Sequence, residues 1–581
     1  MNKLITSMFL YSVIVVMSLL TSNAHADAPL VREQATPYER PANVPAASDV
    51  TMRSLRFRPD NADDPQDTFV ALGQFHATRL EWLYLADVGD PIQPEVVQKI
   101  RRVYDMGRIF GGASSGSSGT YVEWHQDTGQ HIKKFNIIDR DGNPVIAGHM
   151  KHWTKPQSPG CVNNPDYRKG HLDYLKGYID RGAVTMQRDE PSTQHMYAQK
   201  GLGCFCPHCM EGFRDYLAGK LSEQQPRDLG IESIDKFNYK DYLNQTGAPA
   251  ASTDFDWSDP ATIEQATGEL HEHFVQFQLE ANTEFFDWIR AELDTYTPGK
   301  HIGYTCNNTS FQKWDEPYIQ VFDFAISELM MESANPGHIY ERAQKARSLG
   351  KMQVFGTPKT MGEAYDEAWL TRLKRQVIAT SYASGALSRV PWDIFQQSKD
   401  GNARYFGRPE DFADLYGFVR ANHRHLDNYC SAGAYGPGIE DNRYGNSPPL
   451  VTEDANDSLC LFLRAMPGDP ASPVVVHLVD WDEQAPKPFK LRIRTDAFFP
   501  GTDLAVSLRV PMPYDGQAHT DAERAAQDMR EGDERMGPAQ AEAFEPLVKT
   551  RELVTKTEGP FTVVEVPAVD PWGILIIVPI R

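Results

Sequence analysis

The chain has 581 residues, with 58 Lys and Arg against 79 Asp and Glu, a formal net charge of −21 and a mean hydropathy of −0.49. That acidic surplus, with no Lys/Arg cluster, argues against nucleic acid and anionic membrane surfaces as partners, because both need a concentrated basic patch. The length suits one large domain with one or two small ones and leaves a homo-oligomer open.

In chain order, the first segment is a leader. Lys3, the apolar run from Phe9 to Leu20 and the small-x-small triplet Ala24-His25-Ala26 predict a secretory signal peptide over 1–26. The run is too short to span a bilayer comfortably, and no Cys follows the cleavage site to take a lipid, so no membrane anchor is expected. The mature chain is expected to begin near Asp27 and to be periplasmic or secreted. Residues 27–61, rich in Pro, Ala and Asp, read as a loose N-terminal arm.

From residue 62 to 435, strand-like runs alternate with amphipathic helices, the pattern of parallel α/β structure. The strand candidates are Leu80–Leu85, Arg108–Gly111, Val145–His149, Ala183–Met186, His301–Thr305, Phe322–Ser327, Met352–Phe355 and Ala386–Val390. Helical segments lie between most of them, notably Glu272–Leu293, His338–Leu349 and Glu367–Ser384. This predicts a TIM (β/α)8 barrel, whose active site is built at the C-terminal strand ends. The long stretch from Leu217 to Gly299 then reads as an inserted helical subdomain. From 436 to 581 short alternating runs without intervening helices predict an antiparallel, β-sandwich-like domain, broken by a charged helical excursion over Asp521–Arg551.

One stretch carries most of the chemistry. Ala183 to Arg188 is a β-prone run that ends in Asp189-Glu190, and Pro191 stops the strand there. Two carboxylates therefore sit at a strand's C-terminal end. Further on comes Cys204-x-Cys206-x-x-Cys209, three thiols spaced to hold one soft divalent metal, with Cys161 as the candidate fourth ligand. This leaves Cys306, Cys430 and Cys460 as an odd set, in which one pairing is admissible.

The order of these parts resembles glycoside hydrolase family 42, the β-galactosidases that carry a Cys, an N-P-x-Y-R helix, a strand ending in Asn-Glu and a C-x-C-x-x-C zinc loop. Asp189-Glu190 stands where that family has Asn-Glu, and the close match runs from Cys161 to Leu217. The resemblance implies an exo-acting glycosidase with a structural zinc on Cys161, Cys204, Cys206 and Cys209, and Glu190 as acid/base. It breaks at the nucleophile, which the family places at the end of the seventh strand. There the chain reads Val354-Phe-Gly-Thr-Pro-Lys359, and the nearest acids, Glu363, Asp366 and Glu367, lie too far on.

Glycoside cleavage needs one carboxylic acid and one carboxylate on opposite sides of the bond. The sixth strand candidate runs directly into Glu328, which becomes the second carboxylate. Acids on the fourth and sixth strands also resemble the α-glycosidase clans, where the fourth-strand acid attacks and the sixth-strand acid donates. An Asp-Glu pair is likewise similar to that of substrate-assisted hexosaminidases, and a binding protein without chemistry is a further alternative. Sugars stack on aromatic rings, so among Trp82, Trp153, Trp314 and Trp392 the two that follow strand ends, Trp153 and Trp392, are the expected platform. His149, His152, Asn307, Asn308, Arg389 and Asp393 are candidate polar contacts to the carbohydrate.

Overall fold

The computed structural model describes residues 30–580 apart from 60–65, 86–92, 116–134, 147–157, 223–224, 249, 252–267, 269, 310–311, 359–365, 399–400 and 483–484. Two compact units emerge, one of Tyr38–Asn428 with Pro511–Lys549, the other of Met1–Pro37, Tyr429–Val510 and Thr550–Arg581. Among the described residues no helix is long and apolar enough to cross a membrane.

The first unit is built on eight parallel strands in sequence order: β1 (Thr51–Arg53), β2 (Arg79–Leu83), β3 (Ile109–Ser115), β4 (Thr185–Asp189), β5 (Gly303–Cys306), β6 (Phe324–Ile326), β7 (Met352–Phe355) and β8 (Leu387–Ser388). A parallel bridge from Thr51 to Arg389 brings the last strand back to the first, and the Val390 amide donates to the Thr51 carbonyl at 2.8 Å. The sheet is therefore a TIM barrel, as the alternation of elements predicts. The barrel's interior is polar low down: Thr185 Oγ1 donates to Glu81 Oε2 at 2.6 Å and Arg79 Nε to Glu81 Oε1 at 2.9 Å. Gly111 is required there, because a Cβ at that position would collide with the Glu81 carboxylate.

Helices connect the strands: α1 (Thr68–Gln74), α2 (Pro94–Asp105), α3 (Pro165–Ile179), α4 (Thr193–Gln199), α5 (Pro207–Lys220), α6 (His271–Tyr296), α7 (Pro336–Ser348), α8 (Glu367–Ala383) and α9 (Pro409–Ala421). Their starts are set by local chemistry. The Asn164 side chain accepts from the amides of Asp166 and Tyr167 ahead of α3, with Pro165 at the first helical position, and Asp366 caps α8 through the Trp369 amide. Between β4 and β5 the insertion expected over 217–299 is present, among the described residues, as short helical turns and α6; with α5 before it, it shares one core in which Phe205, Phe213, Phe237, Tyr239 and Phe274 cluster with the four cysteines.

Two strand expectations are corrected. The first barrel strand is Thr51–Arg53, inside the segment read as a loose arm, and Val145 is no barrel strand. Val145 instead donates to the Ile137 carbonyl at 3.0 Å beside the antiparallel bridge of Ile138 with Pro144. One omission and one false strand cancel, so strands four to eight keep their places.

The excursion from the C-terminal half forms α10 (Gly516–Asp528) and a 3-10 turn over Pro538–Leu547, and packs on the barrel unit at the N-terminal strand ends. Glu523 pairs there with Arg108, just before β3, and with His76 Nδ1 at 3.1 Å, while His76 Nε2 and His519 Nδ1 lie 2.8 Å apart. In the second unit the strand candidates form two antiparallel sheets, of six and four strands, over one apolar core that includes Leu463, Val476, Leu491, Val506, Val564 and Leu575.

Candidate active site and metal centre

The C-terminal ends of β4, β5 and β6 are adjacent, and the side chains that leave them meet. Asp189 ends β4, Glu190 follows it, and the Glu190 amide donates to Asp189 Oδ1 at 3.0 Å. Asn307, just past β5, donates from Nδ2 to Asp189 Oδ1 at 2.8 Å and accepts the Glu328 amide on Oδ1 at 3.2 Å. One buried amide thus ties the fourth strand end to the sixth, which makes Asn307 a positioning residue.

Glu328 is held from the other side. Arg53 Nη1 lies 3.1 Å from Glu328 Oε1, with side-chain exposures of 3% and 14%, and the Arg53 guanidinium sits 3.8 Å over the Trp82 ring. Arg389 is buried nearby, its guanidinium 5.6 Å from the same ring. Burial and the adjacent Arg53 push the Arg389 guanidinium down to about 9, against the pull of Glu328. Asp189 has the opposite surroundings. Burial first, then the charges of Glu190 and Glu328, push its carboxyl up to about 7, with Arg53 and Asn307 acting the other way. Three carboxylates therefore share one field, and Asp189 is placed to hold a proton near neutral pH.

Trp82, within β2, and Glu190, just past β4, both have left-handed backbones, with φ of 61° and 51°. Non-glycine residues held there store on the order of 1–3 kcal/mol and persist only where the surroundings over-determine them. Two residues of this site escaped the sequence reading. Arg53 was hidden because its strand was not recognised. Tyr84, one residue past β2, has its hydroxyl pushed up by burial and then by Asp189 and Glu190, and its place at a strand end was the available signal.

Other expected contacts are placed elsewhere. Trp392 is 2% exposed and packs edge-on against Phe406 at 5.1 Å, so it offers no ring face to a sugar. Asp393 is buried and accepts from Ser54 Oγ at 3.1 Å, the Leu55 amide at 2.9 Å and Arg404 Nε at 2.8 Å, which makes it a lock between β1 and β8 instead of a substrate contact. Trp82 and Trp314 are buried too, and Asn308 turns away to Gln353 at 3.0 Å. His149, His152, Trp153 and Glu363 lie outside the described residues. Asp366 and Glu367 belong to the start of α8.

The sulfurs of Cys161, Cys204, Cys206 and Cys209 all lie within 4.8 Å of one another, and none of the seven cysteines is in a disulfide. Cys206 caps α5 by accepting the Cys209 amide at 3.4 Å, the geometry that Pro207 at the first helical position enforces. Amides point at the sulfurs: Asn163 Nδ2 to Cys209 Sγ at 3.3 Å, and Gln194 Nε2 to Cys161 and Cys209 at 3.7 Å each. Four convergent soft donors, with N–H groups directed at them as thiolates require, fit a tetrahedral soft metal with no open position.

A parallel barrel with carboxylates at the β4 and β6 ends has the architecture on which glycoside hydrolysis is built. The proteins of similar sequence are glycosidases by name. The chain is 25% identical over 396 residues to an α-agarase of Thalassotalea agarivorans, a match covering 63% of this chain and 25% of that protein. It is 25% identical over 358 residues to an α-agarase of Alteromonas agarilytica, covering 58% and 24%. The matched stretch thus amounts to about a quarter of each agarase. No protein-family model matches. Among solved structures, α-L-fucosidase isoenzyme 2 from Paenibacillus thiaminolyticus is 10% identical with a TM-score of 0.48, covering 92% of this chain and 100% of that one. The β-galactosidase of Bacillus circulans sp. alkalophilus is 11% identical with a TM-score of 0.46, covering 94% and 100%. The barrel assignment rests on the strand order of this chain itself.

Proposed function

We propose that the protein is an exported glycoside hydrolase that cleaves α-linkages of a galactan of the agar kind. The observation that carries this reading is the joining of Asp189, Glu190 and Glu328 through Asn307 across adjacent strand ends. The names of the two relatives supply the linkage and the polymer. On this reading the β4 pair supplies the proton to the leaving oxygen, and Glu328, held beside Arg53, is the carboxylate that attacks the sugar or activates water. This keeps Glu190 with its neighbour as the acid and departs from the α-glycosidase order of roles. Cys161, Cys204, Cys206 and Cys209 would hold zinc, which would supply rigidity and no chemistry, because four thiolates close the coordination sphere.

Incubating the purified protein with agarose and measuring released reducing ends tests the substrate. Release from agarose and none from lactose or an aryl β-galactoside is the expected result. The reverse pattern would favour the exo-acting, β-galactosidase-like reading, which the cysteine layout supports. No release from any galactan, with the fold intact, would leave a carbohydrate-binding relative.

A further inference from the structure

We propose that the four-thiol centre positions Glu190 for the reaction through Gln194, an inference that rests on the hydrolase reading for its kinetic consequence. Glu190 occupies the left-handed region, a conformation that must be imposed by its neighbours. The segment from Glu190 to Gln199 contains only a seven-residue helix, α4, too short to hold itself. Tyr197 and Ala198 bury its far end in the apolar cluster, and its near end, beside Glu190, is held by polar anchors. Thr193 Oγ1 donates to the Glu190 carbonyl at 2.6 Å, Asn282 Nδ2 of α6 to the Pro191 carbonyl at 2.8 Å, and Gln312 Nε2 to Ser192 Oγ at 2.6 Å.

Gln194 joins this segment to the sulfurs. It is 1% exposed. Its Nε2 donates to Cys161 Sγ and Cys209 Sγ at 3.7 Å each and to Gln278 Oε1 at 2.6 Å, while its Oε1 accepts the Val162 amide at 3.2 Å. An N–H bond to sulfur strengthens when the acceptor is a metal-bound thiolate and weakens when it is a neutral thiol. Loading the centre with metal therefore tightens α4 one turn beyond Glu190, and emptying it loosens the segment that carries the proton-donating carboxylate. Asn163 provides a matched case: its Nδ2 donates to the same Cys209 Sγ at 3.3 Å and to the same Gln278 Oε1 at 3.1 Å, from a segment with no reacting group.

The test compares Gln194→Leu with Asn163→Leu in the full chain. Gln194→Leu is expected to lower kcat at least tenfold with KM within twofold and zinc content retained, and Asn163→Leu to lower kcat less than threefold. The pH–rate profile adds a readout that a merely structural role would not move. Displacing Glu190 relieves part of the repulsion on Asp189, so the limb near neutrality should shift to lower pH in Gln194→Leu alone. Equal losses in the two variants, or kcat within twofold of the parent in Gln194→Leu, overturn the proposal. Amide exchange over residues 190–200 reads the coupling without activity. It should quicken at least tenfold in Gln194→Leu, and in the parent protein stripped of zinc by a chelator below its unfolding temperature. Unchanged exchange overturns the coupling even if no galactan is cleaved, and the chelator arm stands if Gln194→Leu does not fold.

Discussion

The barrel buries acids at both ends and treats them in opposite ways. At the N-terminal end Glu523 is burdened by burial, but Arg108 and His76 outweigh it and hold the carboxyl down at about 2. At the C-terminal end burial acts in the same direction on Asp189, and its neighbours Glu190 and Glu328 add to it, so the carboxyl rises to about 7. Arg53 works against that rise without cancelling it. The lesson is that burial alone does not mark a site: an acid with its own cation is a fastener, and an acid set among acids stores free energy that chemistry can use.

Four substitutions sharpen or break this contrast. The largest effect is expected at the mouth, where Glu328→Gln should lower kcat by about 10³–10⁴ with an unchanged circular dichroism spectrum; activity within tenfold of the parent would remove Glu328 from the reaction. Next comes the base. Glu523→Gln leaves Arg108 buried without its partner and should cost about 3–5 kcal/mol in urea unfolding at pH 7. Because the folded pKa is depressed, that loss should be present above about pH 4.5 and shrink as pH falls towards about 2.

Asp189→Asn should do the reverse for stability. A raised folded pKa means that ionisation costs stability as pH climbs from about 4 to about 7, so the variant should gain about 1–3 kcal/mol at pH 8 and nothing at pH 3. An Asp189→Asn protein that is less stable at pH 8 would place Asp189 with the fasteners. The smallest effect is expected for Trp392→Phe, which should alter KM less than twofold, because its ring faces Phe406 and not the mouth; a tenfold rise would return it to the sugar platform.

The C-terminal half of this contrast was legible in the sequence and the Glu523 fastener was not, and the illegible parts have physical reasons. Pro191 after Asp189-Glu190, and a strand running straight into Glu328, are punctuation that sequence displays directly. The Thr51–Arg53 strand is three residues long and has no pattern of its own; it exists because β2 and Arg389 pair with it on either side. Missing it also hid Arg53, and with it the partner of Glu328. Val145-Ile146 has strand propensity that a local bridge satisfies, which no propensity scale can distinguish from a barrel strand. Trp392 and Asp393 follow a strand end just as site residues do, and only the packing shows their side chains enclosed. Asn307 was visible as a polar residue near a strand end, but its bracing of β4 against β6 is a consequence of register.

The central claim is the division of labour between the strand ends, and the rates of Glu190→Gln and Glu328→Gln on two substrates of unequal leaving group test it most directly. The account predicts that Glu190→Gln recovers much of its rate on an activated aryl galactoside with the same linkage, whereas Glu328→Gln is slow on both. Recovery in Glu328→Gln and none in Glu190→Gln would contradict it and give the β4 pair the attacking role.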